Sequence, residues 1–234
     1  MLLPRVKKLM KVELLSYTNN PVETIEAAAS TCYDSEPTKG KIMNHCYKSG
    51  HHSVLEFADF TFKISGVSRA LTHQLVRHRL ASYAQRSQRY CKETGFEFVT
   101  PPSIAQNSEA LVVYQNTMDA ITEAYAKLLE LNIPGEDARM VLPNACFTEI
   151  CVKMNLRTFI NFCNERLCSC AQWEIRKLAS MMVKSVVEVA PELKHLLVPK
   201  CERNSPYCFC NETSKRTCKR HPLLSEIIKN PLNI

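Results

Sequence analysis

Residues 105–131 place apolar side chains at Leu111, Met118, Ile121, Tyr125, Leu128 and Leu129. That spacing follows the helical repeat and predicts one long helix with an apolar stripe. Such a stripe must be buried against a second layer, and the flanking chain supplies one. KVELLSY (11–17), FADFTFKIS (57–65), a short segment near 96–99 and CFTEICVKMN (146–155) read as strands, the second being rich in aromatic and β-branched residues. Between them, Asn20-Pro21 supplies an N-cap and a first-turn proline for a helix to about Cys32. A second helix covers 39–49 and stops at Gly50. Gly66 and Ser68 break the second strand and cap a helix running to about Arg79. Pro134 opens a short helix over 134–141, and LRTFINFCNERL and AQWEIRKLASMMVKSVVEVA are two more. The expected fold is α+β: a single domain over 1–198, with a small mixed sheet packed by several helices including one long helix, then a Cys-rich C-terminal tail over 199–234.

Composition removes several classes. The 234 residues suffice for one sizeable core. Only 5 glycines occur, and neither GxGxxG nor GxxxxGK[ST] is present, so nothing points to a Rossmann fingerprint or a P-loop. A net charge of +7 suits phosphates, nucleic acid or acidic lipid, and is equally the mark of an ordinary basic surface. No apolar run approaches the ~18 residues of a membrane span. MLLPRVKKLMKVELL has basic residues inside its apolar stretch and no small-residue cleavage site, unlike a signal peptide. The expected location is therefore the cytoplasm, where the 12 cysteines would be thiols or metal ligands rather than disulfides.

The densest polar cluster is RHRLASYAQRSQRY, residues 77–90. His73 and Gln74 lie four residues before Arg77 and His78, so a continuing helix would put each pair on one face and deliver Gln74, Arg77, His78 and Arg79 to one end. A following loop would carry Gln85, Arg86, Ser87 and Arg89. A guanidinium is a permanently charged fork of donors that matches phosphate oxygens bidentately, and serine hydroxyls and loop amides complete such a cradle. So many donors suit a nucleotide plus a diphosphate cofactor better than a lone anion. A basic solvated face, or arginines paired with acids on neighbouring elements, is the competing reading. Ser87 has no positioned base nearby in sequence and reads as a phosphate donor rather than a nucleophile.

The same segment resembles the signature of the flavin-dependent thymidylate synthases: Arg77-His78-Arg79, seven residues, Ser87, then Arg89-Tyr90. Three further blocks are similar to that family in the right order. They are SGHHSVLEFADFTF (49–62), ARMVLP (138–143) and NLRTFINFCNERL followed by AQWEIR (155–176). The resemblance thus spans residues 49–176.

By this resemblance, Gln74, Arg77, Gln85, Arg86, Ser87, Gln88, Arg89 and Arg139 would bind dUMP. Ser53, Arg77, His78, Arg79, Gln85, Asn155, Arg157 and Asn161 would meet FAD, with His51 and Glu56 near the flavin or structural. Arg166 matches the arginine that also binds dUMP and stabilises ionised uracil. A guanidinium against the ring favours its anion and raises electron density at the fifth carbon, with no enzyme thiolate needed. The implied reaction takes its carbon from 5,10-methylenetetrahydrofolate and its hydride from NADPH-reduced FAD, forming dTMP and releasing tetrahydrofolate. The resemblance also implies a homotetramer with shared active sites, and neither nucleic acid nor membrane as partner. The chain departs from the family at Ala84 and Gln85, often Asn and Glu. It departs again at Cys168 and Cys170, where Asp and often His are usual.

Cys201, Cys208, Cys210 and Cys218, followed by His221, crowd the tail. Zinc is one reading and reduced, unligated thiols the other, because the spacing lacks CxxC, and no residue is assigned here as a metal ligand. Cys146, Cys151 and Cys163 read as small core residues.

Overall fold

The computed structural model describes residues 9–229; the outer ends of the two expected segments, 1–8 and 230–234, lie outside the described residues. In chain order these form β1 (Lys11–Tyr17), α1 (Pro21–Tyr33), α2 (Lys41–Lys48), β2 (Asp59–Ser68), α3 (Arg69–Leu75) and β3 (Ala81–Gln85). Then come α4 (Pro102–Ala105), α5 (Ser108–Glu130), α6 (Gly135–Ala138), β4 (Phe147–Asn155), α7 (Leu156–Arg166), α8 (Trp173–Val189) and α9 (Leu224–Lys229). The four strands make one sheet in the order β1-β2-β4-β3. It is antiparallel throughout, rather than mixed, within the expected α+β fold. No described helix is long and apolar enough to cross a membrane.

Burial alternates along the two central strands, as a period of two demands. β2 buries Phe60, Phe62 and Ile64, and β4 buries Thr148, Ile150, Val152 and Met154. Gly66 does not break β2 as expected but lies inside it, at φ +68, in the left-handed region. A Cβ there would come within 2.7 Å of the Leu9 carbonyl oxygen, so the strand continues only because this residue has no side chain.

The sharpest departure is at α3. Ser68 caps it as expected, accepting the Leu71 N–H at 3.0 Å, but the helix ends at Leu75 instead of Arg79. Residues 81–85, expected as loop, join the sheet beside β4, and the Tyr83 hydroxyl donates to the Leu75 carbonyl at 2.9 Å. A ladder to a distant strand has won over local helical continuation, so Arg77–Arg79 stand beyond the helix and the shared-face argument does not apply to them. The long helix is likewise divided: α5 starts afresh at Asn107, whose side chain accepts the Ala110 N–H at 3.0 Å. Asn20 precedes α1 at φ 48 and makes no side-chain cap. The segment near 96–99 forms a bridge, Phe98 to Cys146, rather than a strand.

The chain divides into two compact units, each built from separate stretches. Among the described residues, one comprises 9–11, 63–77 and 83–151. Its core gathers Phe96, Met118 and Cys146 with Phe98 and Tyr114, and the buried Tyr125 accepts the Glu93 N–H at 3.2 Å. The other comprises 12–62, 78–82 and 152–229. There Phe159 of α7 meets Phe60 at 6.0 Å and Phe62 at 5.6 Å between centroids and stacks on Phe162 at 6.3 Å. The C-terminal segment belongs to this unit, with Lys200 N–H donating to the Asn164 carbonyl at 3.1 Å. Phe159→Ala is expected to cost about 3–5 kcal/mol in denaturant unfolding. Phe57→Ala, at a position 61% exposed, is expected to stay within about 0.5 kcal/mol of the parent.

Candidate active site

In the second unit, α7 organises the flavin-assigned residues. Asn155 caps it, its Oδ1 accepting the Thr158 N–H at 2.9 Å, and Arg166 is its last residue, where a cation suits the helix dipole. Arg157 pairs with Glu56 at 2.6 Å in an exposed ion pair. The Thr158 hydroxyl donates to the Leu80 carbonyl at 3.1 Å and so ties the 78–80 segment to the helix. Ser53, Arg79 and Asn161 are exposed.

Arg166 and His78 come together: the guanidinium Nε donates to His78 Nε2 at 3.1 Å. Guanidinium nitrogens only donate, so Nε2 carries no proton and the neutral ring is protonated on Nδ1. The imidazole also sits edge-on against Phe162, with centroids 5.0 Å apart. Burial first, and the adjacent Arg166 charge second, hold His78 down from 6.5 to about 4. His78 is therefore an acceptor that fixes the guanidinium without cancelling its charge.

In the first unit, the nucleotide-assigned residues follow β3. The Gln85 amide donates to the Thr72 hydroxyl at 2.9 Å and the Thr148 hydroxyl at 3.4 Å. Gln88 is buried and donates to Cys146 Sγ at 3.8 Å. Ser87 Oγ accepts the Arg89 N–H at 3.2 Å. Arg86 pairs with Glu93 at 2.9 Å, and Arg89 with Glu136 at 2.6 Å while lying over the Tyr90 ring. Arg139 joins them, its Nε donating to the Glu136 carbonyl at 3.1 Å. Gln74 is half-buried on α3, and Arg77 is exposed just past its end.

The competing sequence reading, arginines paired with acids, is thus met at Arg86 and Arg89. The Arg89–Glu136 pair is exposed, and exposed pairs contribute at most about 1 kcal/mol, so a phosphate can replace that carboxylate at little cost; Glu93, its side chain only 11% exposed, is not such a case. Arg69 was not among the expected residues, yet it donates to the Arg86 carbonyl at 3.2 Å. Burial, and then the charge of Arg139, hold its guanidinium below the usual range. Its one sequence signal is its place directly after the helix-capping Ser68. Glu93 and Glu136 carried no signal, since the fold alone brings them to their arginines. A cavity of about 360 Å³ in this unit is lined by Arg86, Lys92, Glu93 and Glu149 among others; of the nucleotide-assigned residues only Arg86 reaches it. Arginine placement, not concavity, therefore marks the candidate site.

The thymidylate synthase complementing protein family matches residues 13–192 of the chain. The chain is 40% identical to a flavin-dependent thymidylate synthase of Nitratidesulfovibrio vulgaris, covering 91% of itself and 96% of that protein. A Geobacter sulfurreducens protein of the same name is 43% identical, covering 82% and 88%. A Pyrococcus abyssi protein, also of that name, is 40% identical, covering 93% and 99%.

His78 supplies a pH prediction. The folded value lies below the unfolded one, so between about 6.5 and 4 the unfolded chain takes up a proton that the native state refuses. The stability contributed is present above pH 6.5 and is lost as pH falls toward 4. NMR of the imidazole should show a neutral ring at about pH 5.5. Arg166→Ala should raise the midpoint while burial keeps it below 6.5. A parent midpoint at or above 6.5 would contradict the geometry.

Proposed function

The chain belongs to the thymidylate synthase complementing protein family, as a flavin-dependent thymidylate synthase, and from that membership we propose the roles of its individual site residues. The enzyme methylates dUMP to dTMP, with 5,10-methylenetetrahydrofolate as carbon donor and NADPH as the source of reducing equivalents, and releases tetrahydrofolate. FAD, when bound, supplies the hydride that completes the methyl group. The α7 region suits such a dinucleotide. Arg79 and Arg157 offer cations to a diphosphate, Asn155 and Asn161 offer amides, and Arg157 is paired with an exposed carboxylate, that of Glu56.

In this reading, Ser53, Arg77, His78, Arg79, Gln85, Asn155, Arg157 and Asn161 hold FAD. Gln74, Arg77, Gln85, Arg86, Ser87, Gln88, Arg89 and Arg139 hold dUMP, chiefly by its phosphate and sugar. Phosphate binding exchanges the Glu136 carboxylate beside Arg89 for a ligand of higher charge. Arg166 faces the uracil imide and stabilises its anion, concentrating electron density at the carbon to be methylated. One observation carries this assignment. Arg166 is oriented by a neutral imidazole rather than a carboxylate, so its full positive charge stays available to the substrate.

The same reading takes the active sites to be shared among the subunits of a homotetramer in the cytoplasm. It also takes 1–198 as the synthase domain and 199–234 as an appendage, in keeping with a family match that stops at residue 192. The test is Arg166→Ala. The purified variant should retain flavin absorbance while dUMP-dependent tritium release, with NADPH and methylenetetrahydrofolate supplied, falls by about 100-fold or more. Parent-like dTMP formation would refute the role.

A further inference from the structure

One cluster in the second unit is not used by this chemistry. Leu167 follows Arg166, and the next turn carries Cys168 and Cys170. These thiols line a cavity of about 300 Å³ together with Cys201, Cys210, Glu212 and His221 of the C-terminal segment. The ligand atoms of Cys168, Cys170 and Glu212 all lie within 4.8 Å of one another, and so do those of Cys201, Glu202 and His221. Five thiols, Cys168, Cys170, Cys201, Cys210 and Cys218, thus border one cavity, and of these Cys218 is the exposed one.

A second observation is independent of that geometry. From Lys200 to Lys229 the buried side chains are those of Cys210 and Leu223, and the one helix is the six-residue α9. Two buried side chains cannot offset the conformational entropy of ordering some thirty residues, which costs about 1–2 kcal/mol per residue for the backbone alone. Segments this poor in core are held by disulfides or a metal, and all twelve cysteines are free.

We propose that this cavity is a structural zinc site with four thiolate ligands: Cys168 and Cys170 from the turn after α7, and Cys201 and Cys210 from the C-terminal segment. Zinc favours such a closed tetrahedral thiolate set. A divalent cation at the centre lets the thiols ionise. Glu202 and Glu212 are engaged elsewhere, Glu202 with Arg220 and His221, Glu212 with Lys200 and Arg216, and stay outside the ligand set. The ligands are therefore not those suggested by the tail alone. Cys208 does not line the cavity and Cys218 borders it but is exposed, and Cys168 and Cys170 take their two places.

The test is metal analysis of the full chain purified under reducing conditions from zinc-supplemented medium. About one zinc per chain is expected, and cobalt should substitute for it with the visible absorption of a tetrahedral thiolate site. Cys168→Ser and Cys201→Ser should each lose the metal, and Cys32→Ser, on α1, should keep it. Should those two variants fail to fold, native alkylation of the parent decides. Cys168, Cys170, Cys201 and Cys210 should react only after chelation, while Cys208 and Cys218 react before it. Zinc well below one per chain with those four thiols reactive from the start, iron with sulfide in place of zinc, or full zinc in a folded Cys168→Ser variant would each overturn the proposal. Metal content and thiol reactivity are read without turnover, so either result leaves the thymidylate synthase assignment standing.

Discussion

Phe159 sits beneath everything that α7 carries. Wedged between Phe60 and Phe62 of β2 and stacked on Phe162, it fixes the rotation of the helix, and with it the direction of every polar residue on the opposite side. The Asn155 cap at one end and the Arg166 contact with His78 at the other then act on a helix that cannot roll. Phe162 does double duty, since its ring also receives the edge of His78. The aromatic packing and the polar site are therefore one construction: the buried face sets the angle, and the exposed face inherits it.

The two units treat their arginines differently. Around α7 the decisive guanidinium leans on an uncharged acceptor, buried enough to be kept neutral. After β3 the arginines are held by carboxylates, Arg89 in a surface pair weak enough to be exchanged. In the proposed roles, a ring anion that forms only during reaction calls for a charge already uncompensated. A ground-state phosphate calls only for donors kept in place until it arrives.

Much of this was legible in the residues. The FADFTF alternation and the CFTEICVKMN run predict β2 and β4 closely, and the periodicity of LRTFINFCNER predicts α7, because each pattern is resolved by local spacing alone. The end of α3 was not legible. RHRLASYAQ is compatible with a helix, and only the edge of β4, over sixty residues downstream, turns its second half into a strand. The site follows the same division. The arginine-rich signature announces anion chemistry through composition, whereas Glu93, Glu136 and the His78–Arg166 contact depend on folded proximity. The tail's own cysteines offer zinc as one reading, while the nearness of Cys168 and Cys170 to Cys201 and Cys210 around one cavity arises only in the folded chain.

Neither compact unit is a contiguous piece of chain; each is assembled from three stretches, and β2, β3 and β4 all contribute residues to both. No single cut can release either as a fragment that carries its own core. Both cores close only after long loops have been brought together, a cost in chain entropy met before most of the burial that offsets it. That ordering places this enzyme among proteins of high contact order, whose folding is slow and whose half-made chains leave strand edges open on the ribosome.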